Sequence, residues 1–350
     1  SILVVYSTAG WHFLFSHITK LLLGLFAMYV VHKIKFKYFS KIGQLGFLFS
    51  LFLLVLVLLI GVSVNGASRW LQIAGQQFQP SDVAKLAILV YMARQISKQR
   101  DYLHDFKELF WYVLGPLILV CVLILPNNFS TAALVFINGL VLMFVGKIRI
   151  KFIAAIIGFA FVGALTIYAT AKFTPLGTKI MPRSATWVSR IDSYFVDAKG
   201  DEQTKDFQQT QALVAIQNGG MTGVGPGKST QRNILPYSSS DFIYAIIIEE
   251  YGLFGGVLAL LFYLILMFRA IRIALRVESV FGSLLATGLM FSLVFQALIN
   301  MLVSVEVLPV TGQTLPLISM GGTSIVFSCI AIGIVLSVSR DATDRNYEKA

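Results

Sequence analysis

The feature that most constrains this chain is its long apolar runs, such as residues 47–62 and 257–268, where hydrophobic residues follow one another almost without a break. Such runs show neither the one-sided stripe of a surface helix nor the alternation of a half-buried strand. A helix needs about 20 predominantly apolar residues to cross a bilayer, and in hydrocarbon every backbone N–H and C=O must be paired within the crossing. The chain therefore reads as an all-α membrane protein, a polytopic bundle of about ten transmembrane helices. Ten crossings would use about 200 residues, leaving about 150 of the 350 for connections and one sizeable extramembrane segment. The composition, 57% hydrophobic and 13% charged, compares with roughly 45–50% and about 25% in ordinary globular proteins. That difference excludes a soluble enzyme, a disordered segment, a coiled coil and a small disulfide scaffold.

A formal charge of +11 could point to nucleic acid, but the basic residues sit in short tracts between the apolar runs. Lys33, Lys35, Lys37 and Lys41 form the first, and Arg94, Lys98, Arg100 and Lys107 the second. Lys147, Arg149 and Lys151 form the third, Arg269, Arg272 and Arg276 the fourth, and Arg340, Arg345 and Lys349 the last. Connections poor in Lys and Arg alternate with these tracts, which places the tracts on the cytoplasmic side and makes the charge a report of topology. Without a basic surface interleaved with aromatics, no nucleic acid partner is expected. Cys121 and Cys329 both lie inside apolar runs without metal-ligand spacing, and His12, His17, His32 and His104 form no pair at helical spacing.

The first crossing is expected to end near Tyr6, with Ser7, Thr8, Ala9 and Gly10 as its outer end; it lacks the basic n-region of a signal peptide. The others are expected at 18–31, 42–62, 83–96, 111–125, 131–145, 152–171, 243–268, 283–303 and 324–338. Pro126, Asn127 and Asn128 mark an outer turn. Ten crossings satisfy every basic tract and put both termini in the cytoplasm. The whole chain, 1–350, reads as one integral membrane domain containing a large extracytoplasmic loop, 172–240. Loops of that length are functional or disordered. Chemistry is expected there and on two other outer connections, 65–81 and 306–323.

Gly219, Gly220, Gly223, Gly225 and Gly227 precede Lys228 and Ser229, which invites a phosphate-loop reading. The motif fails because Thr222 stands where its first glycine belongs. Two readings remain: backbone donors approaching a phosphate, or a flexible turn. Asp241 stands where Ser238, Ser239 and Ser240 meet an apolar helix, either as a partly desolvated base or as a helix N-cap. Glu249 and Glu250 lie about two turns further into that helix, where carboxylates are costly and are functional candidates or buried partners. In Gln79-Pro80-Ser81-Asp82 a helix begins, and Lys85 is either the i,i+3 partner of Asp82 or a cation facing an anionic ligand. Arg69, beside Trp70, is a membrane-surface anchor or an anion ligand.

These residues resemble a known family. Asn65, Gly66, Ala67, Arg69 and Trp70, then Gln79-Pro80-Ser81-Asp82 and Lys85, are similar to the NGAxRW…QPSE…K signature of the SEDS family of FtsW, RodA and SpoVE. The stretch from Gln211 through Gly219-Gly220, Gly223, Gly225, Leu235-Pro236 and Asp241-Phe242-Ile243 to Glu249-Glu250 is similar to its glycine loop, LPE…TDFIF and EE run. Leu308-Pro309-Val310-Thr311-Gly312, Leu315-Pro316, Ser319, Gly321-Gly322 and Ser324 match its LPVTG…LP…S…GGxS. Gln313, Thr314 and the stretch 320–323 look more like the division members than the elongation members. The chain departs at Tyr237 and Ser239, where the family commonly has Glu and His, at Ile248 for Gly, and at Gln77 for a basic residue.

The resemblance implies polymerisation of peptidoglycan glycan strands from lipid II, on the outer face of the bacterial cytoplasmic membrane, in the septal division machinery. It implies Asp241 as the essential aspartate, with Arg69, Lys85, Arg232, Glu249, Glu250 and Ser319 as the candidate pyrophosphate and cavity residues. A pyrophosphate leaving group needs no protonation, so one carboxylate can serve where an inverting glycosidase needs two. Asp241 would take the proton of the acceptor 4-hydroxyl as it attacks the donor anomeric carbon with inversion. Arg69, Lys85, Arg232 or a divalent cation, Mg or Mn, would stabilise the pyrophosphate. The implied partners are a class B penicillin-binding protein and other divisome proteins. A lipid-precursor flippase would place charges near midplane and show inverted repeats, whereas these charges sit at the outer boundary and no repeat is visible. A non-catalytic scaffold would carry its specificity in a tail, and 341–350 is short and polar.

Overall fold

The computed structural model describes residues 2–64, 67–73, 76–173, 184–197, 207–235, 238–320 and 322–348. Helix α1, Ile2–Lys33, opens the chain and corrects the first expectation, because no turn interrupts it at 7–10. The two N-terminal crossings read from the sequence are one helix of 32 residues, and the parity that set both termini on one side no longer follows. Small residues break helices weakly: glycine costs about 1 kcal/mol against alanine. Unpaired backbone in hydrocarbon costs several, and no proline occurs before Pro80.

Helix α2, Phe39–Ile60, leads into three antiparallel strands, β1 Val62–Val64, β2 Ala67–Ile73 and β3 Gln76–Phe78, in that spatial order. The sequence reads this stretch as an irregular connection. Helix α3, Pro80–Lys98, starts with proline in its first turn, where a missing N–H costs nothing. Helix α4, Phe106–Ile124, contains a π turn at Phe110–Leu114. Then come α5, Phe129–Val145, α6, Ile150–Phe173, α7, Ser184–Asp197, and α8, Phe207–Gly219. The last three are α9, Ile243–Arg276, α10, Val280–Ser304, and α11, Ser324–Glu348. Among the described residues seven helices are long and apolar enough to cross a membrane, in α1, α2, α4, α6, α9, α10 and α11. Helix α5 is apolar but has 17 residues, and α3 carries Asp82, Lys85, Arg94 and Lys98.

The chain divides into two compact units. One comprises Met28–Val188, Ala270–Ser292 and Ala331–Ala350. In it α2 and α3 pack closely at Gly43, where a Cβ would come within 2.6 Å of Val90 Cγ1, and Phe47 stacks on Tyr91 with centroids 4.5 Å apart. Leu53, Val57 and Leu71 form a buried cluster joined by Leu56, Phe78 and Val83, which fixes the small sheet on the end of α2.

The other unit comprises Ser1–Ala27, Ser189–Arg269 and Leu293–Ile330. Its core is Ala212, Ala215, Leu235, Phe242, Ala245, Ile246, Val303 and Val310. Helix α8 from the large loop thus packs on the start of α9 and the end of α10. Burying Phe242 and Ile246 stabilises this docking by about 1.5–3 kcal/mol each.

Candidate active site

Helix α9 is broken at Gly252, whose φ of 70° and ψ of −173° interrupt the helical backbone. In an unbroken helix the carbonyls of Glu249 and Glu250 would accept from residues 253 and 254. Here they accept instead from the amides of Val224 and Gly225 at 2.9 and 3.0 Å, while Leu253 N donates to Gly220 O at 3.0 Å. The glycines permit this approach: a Cβ at Gly219, Gly223 or Gly252 would overlap the carbonyl oxygen of Ile248, Glu250 or Met221. The glycine-rich stretch is therefore a backbone splint on a broken helix, and its Val224 and Gly225 donors are already used. That removes the phosphate reading for those two amides.

The Glu249 side chain, fully buried, completes the same docking. It accepts from Ser229 Oγ, from Thr230 N and Oγ1 at 3.1 and 2.9 Å, and from Gln231 N at 3.3 Å. Ser229 Oγ in turn accepts from Arg232 N at 3.1 Å, and Arg232 O accepts from Ser238 Oγ at 3.0 Å. Glu249 thus anchors the turn that carries Arg232, which is half-buried. Glu250 is buried beside it at 1% exposure.

Asp241 is half-buried just before α9 and is held through its backbone neighbours. Its own carbonyl accepts from Asn300 Nδ2 at 2.7 Å. Ser240 O accepts from Ser319 Oγ at 2.6 Å, and Ser239 O from Met320 N at 2.8 Å. The carboxylate lies along Gly312, whose φ is +65° and where a Cβ would stand 3.7 Å from Asp241 Oδ2. Residues 306–320, which supply Gly312 and Ser319, are mostly non-helical, and buried backbone groups outside regular structure must find other partners. Their carbonyls at Leu308, Val310, Gln313 and Thr314 accept from Gln209, Arg190, Asn300 and Gln296, at 3.1, 2.9, 2.7 and 2.9 Å. Tyr263 Oη bonds Pro316 O, and Leu315 N donates to Ser319 Oγ at 2.7 Å. These five side-chain donors were not singled out in the sequence. A signal existed on α10, where Gln296, Asn300 and Ser304, all buried, recur every four residues in an apolar helix.

Arg69 and Lys85 lie in the sheet-bearing unit. Arg69, on β2, donates through Nε to Asn127 O at 2.8 Å, just past the end of α4, where a cation meets the negative end of a helix. Lys85 Nζ pairs with Asp82 Oδ1 at 2.9 Å, the side chains 14% and 5% exposed, so the i,i+3 pair exists and is largely buried. Asp241, Arg232, Glu249, Glu250 and Ser319 all belong to the loop-bearing unit. Among the described residues no three His, Cys, Asp or Glu side chains converge so as to hold a metal ion.

A carboxylate set before a broken helix, among helices of membrane-spanning length, defines a polytopic helical membrane protein with a built polar site. The chain belongs to the family described as Cell cycle protein, FTSW_RODA_SPOVE, whose model matches residues 2–344. It is 32% identical over 340 residues, 94% of this chain and 83% of the relative, to a probable peptidoglycan glycosyltransferase FtsW of Methylomonas methanica. It is 33% identical to stage V sporulation protein E of Bacillus subtilis, over 91% of this chain and 84% of the relative. A solved structure described as "Structural coordination of polymerization and crosslinking by a peptidoglycan synthase complex" is similar with a TM-score of 0.78 at 25% identity, covering 97% of this chain and 94% of the other. The rod shape determining protein RodA of Thermus thermophilus shares the fold, with a TM-score of 0.67 at 24% identity over 97% and 92% of the two chains.

Proposed function

We propose that Asp241 is the general base of glycan polymerisation in this protein, a membrane-embedded peptidoglycan glycosyltransferase. The acceptor 4-hydroxyl of one lipid II-class substrate attacks the anomeric carbon of the other and gives its proton to Asp241. The new glycosidic bond forms as the bond from that carbon to the pyrophosphate breaks, with inversion, and the pyrophosphate leaves on its lipid carrier. A positioned base of this kind contributes about 10²–10⁴-fold. Arg232, on the turn that Glu249 anchors in the same unit as Asp241, supplies positive charge for the departing pyrophosphate.

The observation that carries this reading is the triple backbone fixation of Ser239, Ser240 and Asp241, which presents one half-buried carboxylate against a wall that has no side chain, Gly312. Preorganised geometry of that kind favours catalysis over a mere helix cap. The basic tracts support an extracytoplasmic position for Asp241. The similarity to a peptidoglycan synthase complex supports a cross-linking partner, by chemistry a class B penicillin-binding protein, and the FtsW relatives support a septal role.

The test is lipid II polymerisation by purified protein with its transpeptidase, read as glycan length on a gel. Asp241→Asn is expected to lose at least about 100-fold while still binding lipid II. Native turnover by Asp241→Asn would refute the assignment.

A further inference from the structure

We propose that Asn300 is a positioning residue that sets the Asp241 carboxylate, an inference that rests on the role given to Asp241 above. Asn300 lies inside α10 at 1% exposure. Its Nδ2 donates to two backbone carbonyls, Asp241 O and Gln313 O, each at 2.7 Å. A carboxamide nitrogen has two hydrogens and a carbonyl can only accept, so both bonds fix which way the amide faces. Reversing it would set three oxygens against one another. Oδ1 therefore points away from the site, and it is a buried atom without a hydrogen-bond partner among the described residues.

That orphaned oxygen costs stability. A leucine, branched alike at Cγ but larger, would avoid the cost but could not join the two carbonyls. What the amide gains is one rigid link between the residue carrying the carboxylate and the residue after Gly312, the glycine lying along that carboxylate. Ser319 and Met320 fix the two residues before Asp241, and Asn300 fixes Asp241 itself. Removing the link frees the peptide plane of Asp241, which swings the side chain relative to Gly312. A misplacement of about 1 Å at a reacting group can cost about 100-fold.

Asn300→Asp keeps the branched shape of the side chain but cannot join both carbonyls: ionised it has no donor, and protonated, as burial favours, it offers a single O–H; Asn300→Leu keeps the branching alone, with added volume. Both would be purified with the transpeptidase and assayed for lipid II polymerisation per folded, monodisperse molecule. The expected result is a kcat lower by about 10–100-fold with KM within about twofold, the pattern of an interaction needed in the transition state. Asn300→Gln, which retains both N–H groups on a longer arm, recovers part of kcat. If Asn300→Leu does not fold, Asn300→Asp carries the test. Native kcat in folded Asn300→Asp, or a loss confined to KM, overturns the proposal. Asp241→Asn, run in parallel, separates the two readings: native turnover there refutes the base, whereas an inactive Asp241→Asn beside a fully active Asn300→Asp refutes the positioning role alone.

Discussion

Replacing Glu249 by leucine should undock the glycine-rich loop without touching Asp241. The side chain is fully buried and accepts four hydrogen bonds from residues 229–231. Thr230 is exposed and can turn to water, but Ser229 and Gln231 are 4% and 7% exposed. Two buried donors left unpaired cost about 1–3 kcal/mol each, so the docking weakens by about 2–6 kcal/mol. At about 1.4 kcal/mol per tenfold, the lower bound alone is about a 30-fold shift in the opening equilibrium. The amides of Val224 and Gly225, bonded to Glu249 O and Glu250 O, report it directly. Hydrogen–deuterium exchange of the purified protein in nanodiscs should show both amides exchanging at least about 30-fold faster in Glu249→Leu. Glu249→Gln keeps an oxygen for Thr230 and Gln231 and changes only the partner of Ser229, a loss of about 1 kcal/mol and so about fivefold. Unchanged exchange in Glu249→Leu would show that the carboxylate does not hold the loop.

Gly223→Ala should prevent docking, because its Cβ would overlap the Glu250 carbonyl, whereas Gly227→Ala, with nothing within 4 Å, should cost only backbone strain, about 1–2 kcal/mol; limited proteolysis of the loop distinguishes them, and equal sensitivity would sink the close-approach reasoning. Gly312→Ala has room for its methyl at 3.7 Å from Asp241 Oδ2 but must hold φ near +65°, so chemical unfolding should find it about 1–2 kcal/mol less stable. Asp82→Asn and Lys85→Met each break a largely buried pair and should destabilise by about 3–5 kcal/mol. The double variant should regain much of that stability yet stay inactive if Lys85 serves the substrate; full polymerisation by the double variant would confine Lys85 to pairing.

Crossings such as α6 and α10 were legible because uninterrupted apolarity has one solution in a bilayer. The break at 7–10 was not there to be read: Ser7 to Gly10 are small rather than helix-breaking, and their loop-like look carried no energy against a paired backbone. The sheet went unread although Asn65-Gly66, a strong hairpin signal, stands between Val62–Val64 and Ala67–Ile73. A polar stretch between helices drew attention to its charges instead of its alternation. Asp241 was visible through its place at an apolar boundary and through family resemblance. Asn300 was not, because its work is done on main-chain carbonyls of residues 59 and 13 positions away, and no pattern of side chains along the sequence records which carbonyls a fold leaves open.

The break at Gly252 also bears on how the protein is built. With the break in place the first turns of α9 do not complete their own hydrogen bonding: the carbonyls of Glu249 and Glu250 are closed by residues 224 and 225. Entering a membrane alone with the break at Gly252 in place, that segment would carry two bare carbonyls into a solvent that offers no donors. The glycine-rich loop precedes α9 in the chain and so leaves the ribosome first, ready to meet the helix as it arrives. Loop and helix are thus one unit of assembly, and the cost of finishing the helix is met by residues already synthesised.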